Sequence, residues 1–418
     1  MMHEVAGSGS PLRRVVAVLA MVVALPMFSF AAEAAAEADT ALLFPTEDPF
    51  YRAEGSLADI APGAVLKTRT VGLAPTGARL PVEATQVLYR TTGQLGEPAA
   101  TVTTIIRPPT TSGPLRIVSY QGAYDALGAR CDPSYTLRGG GSLAVADTPL
   151  FAAYLAAGFT VVTSDYEGTE LAYGAGRKSG YATLDSIRAA LHILDAPSST
   201  PVGMSGFSGG SIATEYAAEL APTYAPELDI VGAALGGYPV DLVNTVSYIN
   251  GKQEWATLIP YVLLGSARGF GIDLTPYLSD YGKQVVAQVA DQCAADGPKF
   301  PGLRIEQLLQ PQYQDYRSIP AFAPMIEQGR MGNSGTPKGP LFLGGGNSDG
   351  IGDGVIVAAD ERALAAEYCR RGVPVRYQEY PGADHFLSGI LFTPATVPFL
   401  QARFDGLPFD NGCPSLTQ

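Results

Sequence analysis

Histidine is the scarcest chemically useful residue in this chain: 418 residues hold three, His3, His192 and His385. A mechanism that needs a histidine base near neutral pH therefore has few positions to choose from. Cysteine is also rare. Cys131, Cys293, Cys369 and Cys413 show neither a Cys-x-x-Cys pair nor the Cys/His spacing of a zinc site, so structural pairing is expected, with three connectivities open. Charge is thin at 16% of residues, 27 basic against 40 acidic, for a net charge of −13. An acidic chain without Lys/Arg clusters is repelled by nucleic acid and by anionic membrane surfaces, so no nucleic-acid partner is expected. Internal repeats are absent, and low-complexity tracts are confined to the first residues.

One long apolar run exists. Arg13-Arg14 precede Val15 to Phe30, and the small-residue triplets Ala32-Glu33-Ala34 and Ala36-Glu37-Ala38 follow. The pattern is that of a secretory signal peptide over residues 1–38, cleaved within about 34–38, and it is too short to span a membrane comfortably. A retained anchor is the alternative. No cysteine lies near the cleavage region to carry a lipid, so a protein exported to the extracellular or cell-envelope space is expected.

Hydrophobic residues make up 46% of the chain, enough for a full core. Apolar or β-branched runs at Thr85 to Tyr89, Thr101 to Ile106, Ile117 to Tyr120, Thr160 to Thr163, Val202 to Met204, Ile230 to Ala234, Leu341 to Leu343 and Val375 to Tyr377 predict strands. Helical patterns at Leu184 to Leu194, Ile212 to Leu220 and Ala358 to Cys369 lie between several of them. Two early strands followed by strand-helix alternation predict an α/β fold with a mostly parallel central sheet covered on both faces. Residues 39–80, rich in Pro, Gly and Ala, read as an N-terminal arm packed outside. Residues 81–238 and 339–418 read as two parts of one core. About a hundred residues of helical character separate them, far more than an ordinary connection, so 239–338 is expected to be an inserted helical cap. It carries the only tryptophan, Trp255, near Tyr261 in an apolar run.

Gly206-Phe207-Ser208-Gly209-Gly210 places a serine between a predicted strand and a helix whose Ile212, Tyr216 and Leu220 recur every four residues, the layout of a nucleophile elbow. A second Gly-x-Ser-x-Gly, Gly346 to Gly350, runs on into Ile-Gly-Asp-Gly and reads as loop. With Ser208 as nucleophile, the chain order Ser, acid, His of α/β-hydrolases leaves only His385 as base, because His3 and His192 precede the serine. His385 sits in the loop Pro381-Gly382-Ala383-Asp384-His385 after a strand. Asp349, in a Gly346-x-x-Asp turn just past the Leu341 strand, is the expected acid, with Asp353 as the alternative. Asp384 adjoins His385, and consecutive side chains of an extended segment diverge. The clustered Asp and Gly of this loop lack the full ligand spacing of a calcium site, and no metal is expected. An oxyanion needs preset N–H donors. Gly209 supplies one at the helix start, and the loop Gln121 to Asp125 is expected to supply the second. Gly139-Gly140-Gly141 reads as a flexible loop. Tyr124, Phe207, Trp255 and Tyr261 are the candidate pocket residues.

Longer motifs carry a specific resemblance: Phe207-Ser208-Gly209-Gly210, then Tyr216 through Leu228, Val231 through Gly237, Tyr120-Gln121 through Tyr124-Asp125, Cys131-Asp132-Pro133-Ser134-Tyr135, Asp165-Tyr166-Glu167-Gly168 and Tyr380 through His385. Together they resemble the secretory lipase family, over nearly the whole mature chain. The resemblance implies an α/β-hydrolase fold with a helical cap, carboxylic-ester hydrolysis without a cofactor, Ser208 as nucleophile, His385 as base, and the N–H groups of Asp125 and Gly209 as oxyanion donors. It also implies the pairings Cys131 with Cys293 and Cys369 with Cys413. The acid loop is longer here than in the yeast enzymes: counting from the strand gives Asp349, counting back from Cys369 gives Asp353. The expected activity is that of a secreted lipase or carboxylesterase acting on acylglycerols or related esters, with transient contact to a lipid interface. A serine peptidase or an envelope acyltransferase on the same fold, and a catalytically silent ligand-binding protein, are the competing readings.

Overall fold

Nine strands form one sheet in the order β1-β2-β3-β5-β4-β6-β7-β8-β9. The computed structural model describes residues 42–110, 113–140 and 143–416. The expected signal peptide, residues 39–41 of the arm and Gly141 of the glycine loop lie outside the described residues. The strands are β1 (Val65–Val71), β2 (Glu83–Thr92), β3 (Pro98–Arg107), β4 (Ile117–Gln121), β5 (Thr160–Ser164), β6 (Pro201–Phe207), β7 (Asp229–Gly236), β8 (Leu341–Asn347) and β9 (Val375–Pro381). The pairs β1–β2, β2–β3 and β3–β5 are antiparallel, and every pair from β5 through β9 is parallel.

Residues 39–80, expected as an arm outside the sheet, contribute the edge strand β1. Its half-exposed face and its Lys67 and Arg69 suit an edge, where charge blocks further pairing, and hide it from a search for apolar runs.

Along the inner strands the side chains alternate between two apolar layers. Ile117, Val162, Leu341 and Leu343 join the core beneath α2 (Gly176–Ile193) and α3 (Gly209–Tyr224). Their neighbours Val118, Tyr120, Val161 and Phe342 join a second core with Phe151 and Tyr154 of α1 (Leu143–Ala156) and with Phe392, Phe399 and Leu400 near the C-terminus. Strands apolar on both faces are what a sheet covered on both faces requires.

Between β7 and β8 the chain forms α4 (Leu242–Ile249), α5 (Leu258–Gly269), α6 (Asp280–Val289) and short helical turns at Ile305–Leu308 and Ala323–Gln328. Asp241 caps α4 by accepting from the Val243 and Asn244 N–H groups, and Ser279 caps α6 through Gly282. Cys131 is bonded to Cys293 in this inserted segment, and Cys369, at the end of α7 (Ala358–Arg370), to Cys413. The long helix α8 (His385–Phe404) escapes the sequence pattern because Pro394 and Pro398 lie inside it. Among the described residues no helix is long and apolar enough to cross a membrane.

Candidate active site

The parallel strands fan out from β4, which has β5 on one side and β6 on the other. The crevice beyond the carboxyl ends at such a switch point is where open α/β sheets place their ligands. Ser208 leaves β6 here, and the Gln121 to Asp125 segment leaves β4 beside it.

Ser208 has φ of 53°, a left-handed conformation costly for a residue with a side chain and recurrent at functional turns. Its backbone is held by Ser208 N–H to the Gly236 carbonyl at 2.9 Å. The sharp turn into α3 needs glycine on both sides: a Cβ on Gly206 would run into the Gly210 carbonyl, and one on Gly210 into the Gln121 carbonyl.

His385 opens α8, with Asp384 as its N-cap accepting from Leu387 N–H at 2.8 Å. The expected loop histidine is thus a helix-start histidine, and the Asp384 carboxylate is turned to the helix. His385 is buried. Its Nε2 lies 2.7 Å from Ser208 Oγ, and its Nδ1 lies 2.7 Å from Asp353 Oδ2.

Asp353, the alternative acid, therefore stands where Asp349 was expected. The loop after β8 explains why. Asp349 Oδ1 accepts from Ile351 and Gly352 N–H at 2.9 and 2.8 Å, building a turn that uses up the residues just past the strand. Asp353 repeats the device: its Oδ1 accepts from Val355 and Ile356 N–H at 2.9 and 2.7 Å, leaving Oδ2 for the imidazole. Asp353 is fully buried, and its carbonyl accepts from His385 N–H at 2.9 Å, so the two residues are fixed by backbone as well as side chain. Asp349 reaches instead to Tyr248 of α4, at 2.7 Å, and stays partly exposed. Desolvation, which would raise its carboxyl, is outweighed by the Gly352, Tyr248 and Ile351 hydrogen bonds and the Lys252 charge together, which hold it at about 2.

Gly209 opens α3, where the N–H groups of the first turn have no helical acceptor and favour developing negative charge. Asp125 has φ of 41°, and its Oδ1 is buried without a partner so close to Gly209 that a Cβ there would strike it. Burial pushes the Asp125 carboxyl up to about 6, against the opposing pull of His385 and of the Tyr173 hydroxyl. The segment is tied to the insertion between β7 and β8. Ala294 N–H donates to the Asp125 carbonyl, Leu127 N–H to the Gln292 carbonyl, and the Cys131–Cys293 bond closes the same junction.

Phe207 and Trp255 flank the imidazole with ring centroids 5.1 and 5.4 Å from it. Tyr124 and Tyr261 do not join them. Tyr124 is buried with its hydroxyl accepting from Glu167 N–H at 2.7 Å, and Tyr261 is buried in the cap against the Cys293 carbonyl. Glu361, beneath the site, was not anticipated. It is buried, accepts from Tyr238 N–H at 3.1 Å, and is held well above the usual carboxyl range by burial and by the Asp353 charge. Its place in the first turn of α7 resembles an ordinary dipole-complementing glutamate, so no sequence signal marks it. Among the described residues no cluster of three or more His, Cys, Asp or Glu side chains is placed to hold a metal.

A sequence profile of the secretory lipase family matches residues 137–412. The chain belongs to the secretory lipase family. It is 36% identical over 383 residues to a Mycobacterium tuberculosis protein named a probable inactive lipase, covering 88% of this chain and 84% of that one. Lipase A of Arthroderma benhamiae is 32% identical over 397 residues, covering 89% and 82%. The X-ray structure of Candida antarctica lipase A in its closed state matches with a TM-score of 0.81 at 30% identity, covering 89% of each chain. This secretory lipase chain accordingly has the α/β-hydrolase fold and stands among ester hydrolases.

Proposed function

We propose that this chain is an exported serine hydrolase of the lipase or carboxylesterase type, acting on esters with apolar acyl or alcohol groups through an acyl-enzyme. The observation that carries the reading is the unbroken line of hydrogen bonds from Ser208 Oγ to His385 to Asp353, 2.7 Å at each step. In this mechanism Asp353 accepts from Nδ1–H, so Nε2 takes the Ser208 proton as Oγ attacks the ester carbonyl. The tetrahedral oxyanion is held by the N–H groups of Gly209 and Asp125. His385 then protonates the leaving alcohol, and water, deprotonated by the same imidazole, releases the acid.

Apolar substrates are supported by the surroundings. Phe386, Leu387, Ile390 and Leu391 of α8 are all exposed just beyond His385, and α8 carries no charged side chain before Arg403. Transient contact with a lipid interface accords with that surface. The domain reading is a signal peptide at 1–38, a hydrolase core in two parts and a cap at 239–338 that closes over the site.

The likeness to a relative named a probable inactive lipase favours a second reading, a catalytically silent protein on the same fold. Hydrolysis of p-nitrophenyl esters of graded chain length decides between them. The serine hydrolase reading expects turnover by the parent and a loss of about 10⁴-fold or more in Ser208→Ala and His385→Ala. Turnover that survives in Ser208→Ala defeats the mechanism; no turnover by the parent favours the silent reading.

A further inference from the structure

The cap holds the acid loop from both sides of Asp353. Tyr248, near the end of α4, donates from Oη to Asp349 Oδ2 at 2.7 Å and accepts from Gly354 N–H at 3.2 Å. Lys252, in the turn that follows, donates from Nζ to the Gly354 carbonyl at 3.2 Å. The same Nζ lies 3.6 Å from Asp349 Oδ2 and 3.1 Å from the centroid of the Tyr248 ring. Two cap side chains thus grip the loop at 349 and at 354, and Asp353 lies between the two holds.

Asp349 is the hinge of this arrangement because its two oxygens face different ways. Oδ1 shapes the loop through Ile351 and Gly352, and Oδ2 takes the cap's hydroxyl. The loop it shapes presents Asp353, whose Oδ2 has no other protein donor than His385 among the described contacts. A carboxylate that only closed a surface turn would need no partner from another part of the fold. Trp255, also from the cap, meets His385 edge to face and packs against Gly354, so the cap touches both the acid loop and the base.

We propose that Asp349, gripped by Tyr248 and Lys252, is a positioning residue that fastens the cap to the acid loop and so sets the Asp353–His385 hydrogen bond. The proposal rests on the reading of Ser208, His385 and Asp353 as the catalytic set. A shift of reacting groups by an ångström costs about 100-fold in activity.

The test uses the full chain labelled with ¹⁵N-histidine, in which only three imidazoles report. The His385 signals are assigned by their loss in His385→Asn. In Asp349→Ala the Nδ1–H resonance of His385 should move or broaden, and kcat should fall about 10-fold or more with KM within about twofold. Asp349→Asn, which keeps an acceptor for Ile351 and Gly352 but puts an amide where Oδ2 accepts from Tyr248, should preserve the turn and still move the resonance, with a smaller loss of kcat than Asp349→Ala. Tyr248→Phe, which breaks the hold from the cap side and leaves the turn of Asp349 intact, should reproduce the Ala effect and serves as the test should Asp349→Ala not fold. An unchanged His385 resonance in Asp349→Ala and Tyr248→Phe overturns the proposal, as does a loss confined to KM. If the parent turns over no ester, the hydrolase reading fails, while the resonance still decides whether Asp349 orders His385.

Discussion

An imidazole hydrogen-bonded at both nitrogens has its tautomer chosen by its neighbours. With Asp353 Oδ2 on Nδ1, the proton stays there and the Nε2 lone pair faces Ser208. Asp353→Asn can offer an amide N–H instead of an acceptor, which favours the wrong tautomer, so kcat should fall by about 10⁴-fold. Asp349→Asn should cost far less, and steady-state kinetics on one soluble ester compares the two. Ser208 and His385 were legible in the sequence because histidine scarcity left the serine a single base. The acid was not. Asp349 and Asp353 follow the same strand, each heads its own side-chain-to-backbone turn, and the count of residues along a loop does not say which turn faces the imidazole. The fully buried Asp353 is the one bonded to His385, through backbone and side chain together.

At the scale of elements, the strands that carry the site were readable because both faces of each are apolar, whereas β1 and α8 were not. Lys67 and Arg69 break the apolar pattern of β1, and the prolines of α8 break the helical one. The exposed apolar side of α8 then takes on meaning from its neighbour, since it begins at the residue after the base. Replacing Phe386 and Ile390 by Ser should leave hydrolysis of a soluble short ester nearly unchanged and lower that of an emulsified long-chain ester several-fold. Equal effects on both substrates would separate this helix face from the lipid surface. The Cys131–Cys293 bond closes a separation of 162 residues between the chain that follows β4 and the insertion between β7 and β8. Its removal in the Cys131→Ser, Cys293→Ser double variant should lower stability by about 2–5 kcal/mol, read by denaturant unfolding.

For the molecule as a whole, the notable store of free energy is in buried carboxyl groups. Burial pushes Asp125 and Asp147 up to about 6 and Asp165 and Glu219 up to about 7. Glu215, beside Glu219, is raised further by burial and by its neighbour's charge. The Tyr368 hydroxyl touches both, and its single proton can serve only one. A carboxyl raised in the folded state keeps a proton that the unfolded chain releases, so its contribution is intact below the unfolded value and is lost as pH rises through the folded one. The midpoint of thermal unfolding should therefore fall between pH 5 and pH 8, and Glu219→Gln should narrow the difference. A midpoint that rises over this window contradicts that assignment. Groups held low, such as Asp349, act only in more acid solution and do not disturb the window.

The proposed chemistry stands or falls with Ser208 as a nucleophile activated by His385 and Asp353. Intact-mass and peptide analysis after exposure to a fluorophosphonate ester tests it most directly, because covalent capture depends on the activated hydroxyl and not on the choice of substrate. One adduct per chain is expected, mapped to Ser208 and absent from His385→Ala; an unlabelled parent protein, or an adduct on another residue, would rule out an activated Ser208.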